Sequence, residues 1–234
     1  RRIHVGDATT MADDLFASWS ADRAGGLDSI MLAPTRELVA DLNQRARSQR
    51  LSDTEPGPQI ELADGNLASP GDTIITRTNN RKLRVSATDW VKNGDRWTIV
   101  GVDLRRGIHA RHTQSGRHVQ LPLDYVAESV ELGYATTTHS AQGVTADTMH
   151  GMLAGSESRQ QAYTMLTRGR EANHAYLVVV GDGDPHTLIH PETINPLTPT
   201  DVLEHILARD ESPVSATTAL REAASPARQL GDAA

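Results

Sequence analysis

Ser29-Ile30-Met31-Leu32-Ala33 is a short apolar run bounded by Gly26 and Pro34, and Thr35 follows it almost at once. Five residues of this kind, stopped on both sides by turn formers, predict a strand buried on both faces, as strands of parallel sheets are. Thr35 offers a side-chain oxygen to the first free N–H groups of a helix carrying Leu38, Val39, Leu42 and Ala46. A strand that feeds straight into a capped helix is half of a βαβ unit, so the chain is read as α/β.

The same alternation extends in both directions. Upstream, Thr9 or Thr10 is expected to cap a helix with Met11, Leu15, Phe16 and Trp19 on one face, ending before Gly25-Gly26. Downstream, Tyr134–Thr138 reads as a strand end and Thr148–Leu153 as another strand. Glu157 to about Arg168 reads as a helix, and Ala175–Val180 is a near-continuous apolar strand stopped by Gly181-Asp182-Gly183. Thr198 with Pro199 opens a short helix bearing Val202, Leu203, Ile206 and Leu207, and Pro213 to Ala234 is expected to be a flexible tail.

The middle of the chain has a different grammar. Asp53 to Gly71 is rich in Pro and Gly, and short strands are expected at Thr73–Arg77, Trp97–Val102 and His118–Leu121. Turns at Asn93-Gly94 and Ser115-Gly116 separate them. Antiparallel strands set between α/β segments predict a small inserted β-barrel, placed at residues 91–124. The expected division is then 1–90 and 125–185 for the α/β domain, with a C-terminal helix and tail over 186–234.

The chain has 234 residues, is 38% hydrophobic, and contains no cysteine, which excludes disulfides, thiolate metal sites and cysteine nucleophiles. No stretch reaches the roughly 18 uninterrupted apolar residues of a membrane span, and no signal-peptide core is present. The chain begins at Arg1 rather than Met, and reads as a cytoplasmic piece of a longer protein. Net charge is -7, yet between Arg77 and Arg117 ten Lys and Arg face three Asp, a local +7 that leaves -14 elsewhere. Such segregation fits a face that meets phosphates, or else a solvated hairpin face.

Two segments carry chemistry. Tyr134-Ala-Thr-Thr-Thr-His-Ser-Ala-Gln-Gly143 puts hydroxyls, His139, Gln142 and a glycine where a strand ends, a loop suited to an anion or equally to a structural turn. Tyr163-Thr-Met-Leu-Thr-Arg-Gly-Arg170 puts two arginines at the expected end of a helix, either as a guanidinium clamp for phosphate or as complements to the helix dipole. His109 and His112 lie on opposite faces of a strand by their spacing, with no third ligand nearby, so no metal is expected. Trp90 and Trp97, within the basic segment, could stack on a base or fill the barrel core.

In this order and spacing, the two segments resemble motifs V and VI of superfamily 1 DNA helicases, in the RecD-like branch. Leu32-Ala-Pro-Thr-Arg-Glu-Leu-Val-Ala-Asp-Leu-Asn43 is similar to the strand–helix of motif IV, and Gly71-Asp72, Asn79-Asn80 and Asn93-Gly94-Asp95 resemble the series that precedes the inserted barrel. Gln142-Gly-Val-Thr-Ala-Asp147 and Thr167-Arg-Gly-Arg-Glu-Ala-Asn173 look most like the helicase part of conjugative relaxase–helicases of the TraA/TraI type. The resemblance covers Thr10 to Gly181. It implies a RecA-like parallel sheet flanked by helices, the second motor domain of the pair, with a Src-homology-3-like barrel inserted.

The resemblance also implies roles. Arg168 would be the arginine finger, with Gln142 and Gly143 near the γ-phosphate and Arg170 and Arg36 assisting. Thr137 and His139 would face single-stranded DNA, joined by Asn80, Arg81 and Trp97 of the barrel segment. ATP and Mg2+ would be held mainly by a first motor domain upstream, since this sequence has no G-x-x-x-x-G-K-[ST] loop. Val144-Thr145 stands where many relatives carry a glutamate, and the tyrosines and histidine cluster of a relaxase are absent. Partners implied are single-stranded DNA, the upstream motor domain and conjugation-apparatus proteins, with no membrane. The competing reading is a RecA-like module that binds DNA or protein without taking part in hydrolysis.

Overall fold

A computed structural model describes residues 2–52, 54–180 and 198–211. The chain opens with β1 (Ile3–Asp7), α1 (Ala8–Ala24), β2 (Ser29–Ala33) and α2 (Arg36–Leu51). Eight short strands follow: β3 (Ile60–Glu61), β4 (Leu67–Ala68), β5 (Thr73–Thr76), β6 (Asn80–Arg84), β7 (Trp90–Val91), β8 (Arg96–Asp103), β9 (Gly107–His112) and β10 (His118–Leu121). Then come α3 (Leu123–Ser129), β11 (Val130–Leu132), β12 (Ala135–Thr137), a single 3-10 turn at His139–Ala141, β13 (Ala146–Leu153), α4 (Arg159–Met165), β14 (Gly169–Val180) and α5 (Pro199–Ala208).

The α/β part is a wholly parallel sheet in the order β1-β14-β13-β2-β12. All five residues of β2 are buried, as expected for a strand covered on both faces. The period of two sorts them: Met31 and Ala33 point into the core beneath α1 and α2, while Ile30 and Leu32 pack on the other face with Ala162, Met165, Val202 and Ile206 of α4 and α5. Asn43 of α2 protects the free edge of β12 like a substitute strand, donating through Nδ2 to Ala135 O (3.2 Å) and accepting at Oδ1 from Ala135 N (2.8 Å).

The helix ends correct three expectations. Asp7, not Thr9 or Thr10, caps α1, accepting from Thr10 N at 2.9 Å, because β1 runs directly into the helix. Thr35 caps α2 as expected, accepting from Leu38 N at 3.2 Å. α4 begins after Ser158, whose capping box with Gln161 sets its start, and stops at Met165, three residues short of Arg168. Leu207 of α5 is exposed, so the apolar face there is narrower than the sequence implied. The tail beyond 211 and Gly181-Asp182-Gly183 lie outside the described residues.

The insertion is wider than 91–124. Its main sheet is antiparallel in the order β10-β9-β8-β5-β11, so β5, upstream of the expected boundary, is the strand that joins β8 to β11. Trp97, Ile99, Ile108, Ala110 and Leu121 fill its interior and run without a break into the core beneath α1. Two buried charge networks lock this joint. Asp72, wholly buried, accepts from Arg47 Nε (3.2 Å), Arg50 Nε (2.7 Å), the Ser69 N–H (2.8 Å) and the Tyr134 hydroxyl (2.7 Å). Arg96 of β8 donates to Ser29 O (2.9 Å) and Gly133 O (3.2 Å), with Nη1 2.9 Å from the Asp28 carboxylate. Burial pushes the Arg96 pKa down, and burial with Asp72 alongside pushes the Tyr134 phenol up.

Candidate functional site

The loop that leaves β12 and the turn between α4 and β14 come together at the start of β13. Gln142 is exposed, and Gly143 follows it at φ +87, exposed with nothing near its missing side chain. That conformation suits glycine and leaves a peptide face open to solvent. Val144 is buried, and its carbonyl accepts from Arg168 Nη1 (3.3 Å). Arg168 also donates from Nε to Thr164 O (2.7 Å) and from Nη2 to Thr167 Oγ1 (2.9 Å), and its own carbonyl accepts from Ala146 N (3.0 Å). Every partner of that guanidinium among the described residues is neutral.

Arg170 is treated differently. It lies on β14 rather than at a helix end, and pairs with Asp147. The Asp28 N–H, and after it Arg170, hold the Asp147 carboxyl below the usual range. Asn173 closes the start of β14 by accepting from Gly169 N (2.8 Å) and donating to Gly169 O (2.9 Å), a role the sequence reading did not assign.

The barrel closes on the loop from the other side. Gln114, in the β9–β10 turn, donates to Thr145 O. Gly94, buried at φ +89, lies where a side chain would meet Val144 and the Gln142 carbonyl. The Asn79 side chain accepts from Asn93 N (2.9 Å), which joins the two asparagine motifs into one corner. A pocket of about 50 Å³ lies here between Gly143, Thr145, Arg96 and Gln114.

Arg36 and Thr137 belong to a second place. They line a groove of about 500 Å³ with Asn43, Arg77, Glu131 and Ser140, where β2 and β12 end and the barrel begins. Arg36 therefore joins Thr137 rather than Arg168. Arg77 bridges the groove wall, pairing with Glu131 (2.6 Å) and donating to Thr136 Oγ1 (3.0 Å). Thr137 donates to Ser140 Oγ (2.9 Å), and His139 is exposed beside them.

Trp97 is the residue most changed by the structure. It is fully buried in the barrel, with Nε1 3.4 Å from Thr76 Oγ1, so it cannot stack on a base. The half-buried indole at the surface is Trp90, with Arg81 (5.3 Å) and Lys92 (5.6 Å) over its ring. Asn80 accepts from Lys82 N (3.0 Å), a local turn contact. Of the ten basic residues in the +7 segment, eight are exposed, while Arg77 is half-buried and Arg96 is buried. His109 stands 3.2 Å from His118, and His112 faces Asp95 across 3.8 Å. No described helix is long and apolar enough to cross a membrane.

Comparison with known proteins follows these two regions. Residues 60–131 match the Rv2311 SH3-like barrel domain. The inserted barrel is thus SH3-like, and the match runs from β3 through β5 into β11. The chain is 40% identical over 92 residues to the uncharacterized protein Rv2311 of Mycobacterium tuberculosis, covering 39% of this chain and 53% of that one. It is 30% identical over 161 residues to the probable conjugal transfer protein TraA of Sinorhizobium fredii, covering 68% of this chain and 14% of that one. The chain thus spans about half the length of the Rv2311 protein and a small part of TraA. Among solved structures it is similar to Bacteroides sp. Pif1 in complex with ADP-AlF4, at a TM-score of 0.46 and 15% identity, covering 69% of this chain and 44% of that one.

Proposed function

We propose that this chain is the second motor domain of a superfamily 1 DNA helicase of the RecD-like branch, working in conjugative plasmid transfer. ATP and Mg2+ are assigned mainly to a first motor domain that carries the phosphate loop, and this chain forms the facing wall. The observation that carries the reading is Arg168, a guanidinium held at three nitrogens by neutral oxygens alone, beside the open Gln142–Gly143 peptide. Such a cation keeps its charge available to an anion, which an arginine already paired with a carboxylate does not. The similarity to TraA proteins over two thirds of the chain supports the same reading. Phosphoryl transfer is catalysed by positioning and by charge placed on the transferred group, and an arginine in that role contributes about 10³–10⁵ in rate.

Single-stranded DNA is assigned to the groove of Arg36, Thr137 and Ser140, and to the exposed cations of the barrel. A second reading has its own observation. All three Arg168 nitrogens already have partners, as in a purely structural staple, which would fit a module that binds without hydrolysis. Turnover separates the two. In the protein that also carries the phosphate loop, Arg168→Ala is expected to lower DNA-stimulated kcat at least 10³-fold (roughly the scale of such arginines) with little change in nucleotide affinity. Arg168→Lys is expected to restore little, because a point charge cannot reproduce the planar fork. Near wild-type hydrolysis in Arg168→Ala would remove the arginine-finger role and favour the binding module instead.

A further inference from the structure

We infer that the inserted barrel positions the Arg168 turn and the Gln142–Gly143 loop, and that it acts through Gln114 and through a chain of residues from Arg96 to Arg170. The inference rests on the reading of that site just given. Two separate bridges carry it.

The first bridge is the Gln114 side chain. Val144 and Thr145 present consecutive carbonyls, one taken by Arg168 and the other by Gln114 of the barrel. The Gly143–Val144 peptide before them is tied as well, Val144 N donating to Ala141 O (3.0 Å), so the loop has little freedom left at Gln142–Gly143. Gly94 of the barrel lies beside the same loop, where even a Cβ would reach only ordinary contact distance of Val144 and the Gln142 carbonyl.

The second bridge runs beneath the loop. Arg96 of the barrel pairs with Asp28, the Asp28 N–H donates to Asp147 Oδ2 (2.9 Å), and the other Asp147 oxygen takes Arg170. Arg96 and Asp28 are almost without solvent contact, so the series is anchored in the joint. A barrel residue and an arginine two positions from Arg168 are thereby tied to one pair of carboxylates. A displacement of the barrel, such as DNA binding to its cations would cause, has two direct routes to the arginine turn. Gln114 and Asp147 are positioning residues in this scheme, since each acts through another group.

Gln114 makes the clean test because it is exposed and has no place in the core. In the full chain, Gln114→Ala and Gln114→Glu (which keeps the shape but loses the donor) are expected to raise amide hydrogen exchange over residues 142–146 about tenfold, with α2 and β2 unchanged. Asp147→Asn should do the same over residues 168–172. In the ATP-hydrolysing protein, each is expected to lower kcat about three- to tenfold with the KM for ATP within about twofold, and Gln114→Ala should add nothing in an Arg168→Ala background. Unchanged loop exchange in both Gln114 variants would overturn the inference, and so would raised exchange with unchanged kcat. Should Arg168→Ala itself leave turnover intact, the reading of the site falls, while the exchange result still decides whether the barrel holds the loop.

Discussion

Two groups of arginines at the parallel sheet have partners that differ in kind. At the joint with the barrel, Arg47 and Arg50 converge on Asp72 and Arg96 on Asp28, all in or near the core. At the turn before β14, Arg168 is surrounded by a backbone carbonyl from the preceding helix, another from the loop, and a threonine hydroxyl. A buried ion pair need not be a net gain, but removing one partner strands the other charge in a medium that cannot solvate it. The joint is therefore architecture, because the fold cannot tolerate a missing member. The turn is expected to stay folded without its arginine, since its bonds go to neutral, partly exposed oxygens.

The largest expected effect belongs to the joint. Asp72→Asn leaves Arg47 and Arg50 without their carboxylate and Tyr134 with a poorer acceptor, and should cost about 3–5 kcal/mol. Urea unfolding of the full chain checks this through a lowered midpoint at unchanged slope. A loss below about 1 kcal/mol would mean that water reaches the arginines, and the contrast drawn above would weaken.

The same contrast explains what was legible in the sequence. β2, the α2 cap at Thr35 and the turn at Asn93-Gly94 could be read because their signals are local: an apolar run, a threonine before a helix, a left-handed glycine. The barrel limits could not, because β5 joins the barrel by pairing with β8 and β11, strands about 20 and 55 residues further along, and pairing at that range leaves no local mark. Arg96 was counted among solvent-facing cations for the same reason, since the carboxylate that answers it is Asp28, on the far side of α2. For Trp97 a signal did exist. Trp97 and Ile99 share one face of β8, and that alternation marks the indole as inward. Arg168 does lie against the loop that follows Gln142 and Gly143, through the Val144 carbonyl, but Arg36, which motif order groups with them, does not line that place. Its place at the start of α2 sets it beside Thr137 instead.

A smaller effect should appear where a buried group is neutral at pH 7. His150 is buried between Asp22, 2.8 Å from Nε2, and the Tyr176 hydroxyl, 3.1 Å from Nδ1, and stacks on His174 at 4.9 Å. Burial lowers the pKa of both histidines below the usual 6.5, with Asp22 opposing the shift. In the unfolded chain they protonate more readily, so stability holds above pH 6.5 and is lost as pH falls through 6.5 toward the folded values. Thermal unfolding between pH 7.5 and 5 should show Tm falling with acid, and His150→Gln should flatten that slope. An unchanged slope in His150→Gln would show that the acid sensitivity lies elsewhere.

The smallest expected effect tests the account most directly: the unfolding midpoint of Arg168→Ala, measured in urea on the full chain beside Asp72→Asn. Three bonds to neutral oxygens at a half-exposed turn, with water able to replace most of them, should cost at most about 1.5 kcal/mol, well below the joint variant and at the same slope. A loss for Arg168→Ala as large as that of Asp72→Asn would contradict the account, and would make Arg168 one more member of the architecture.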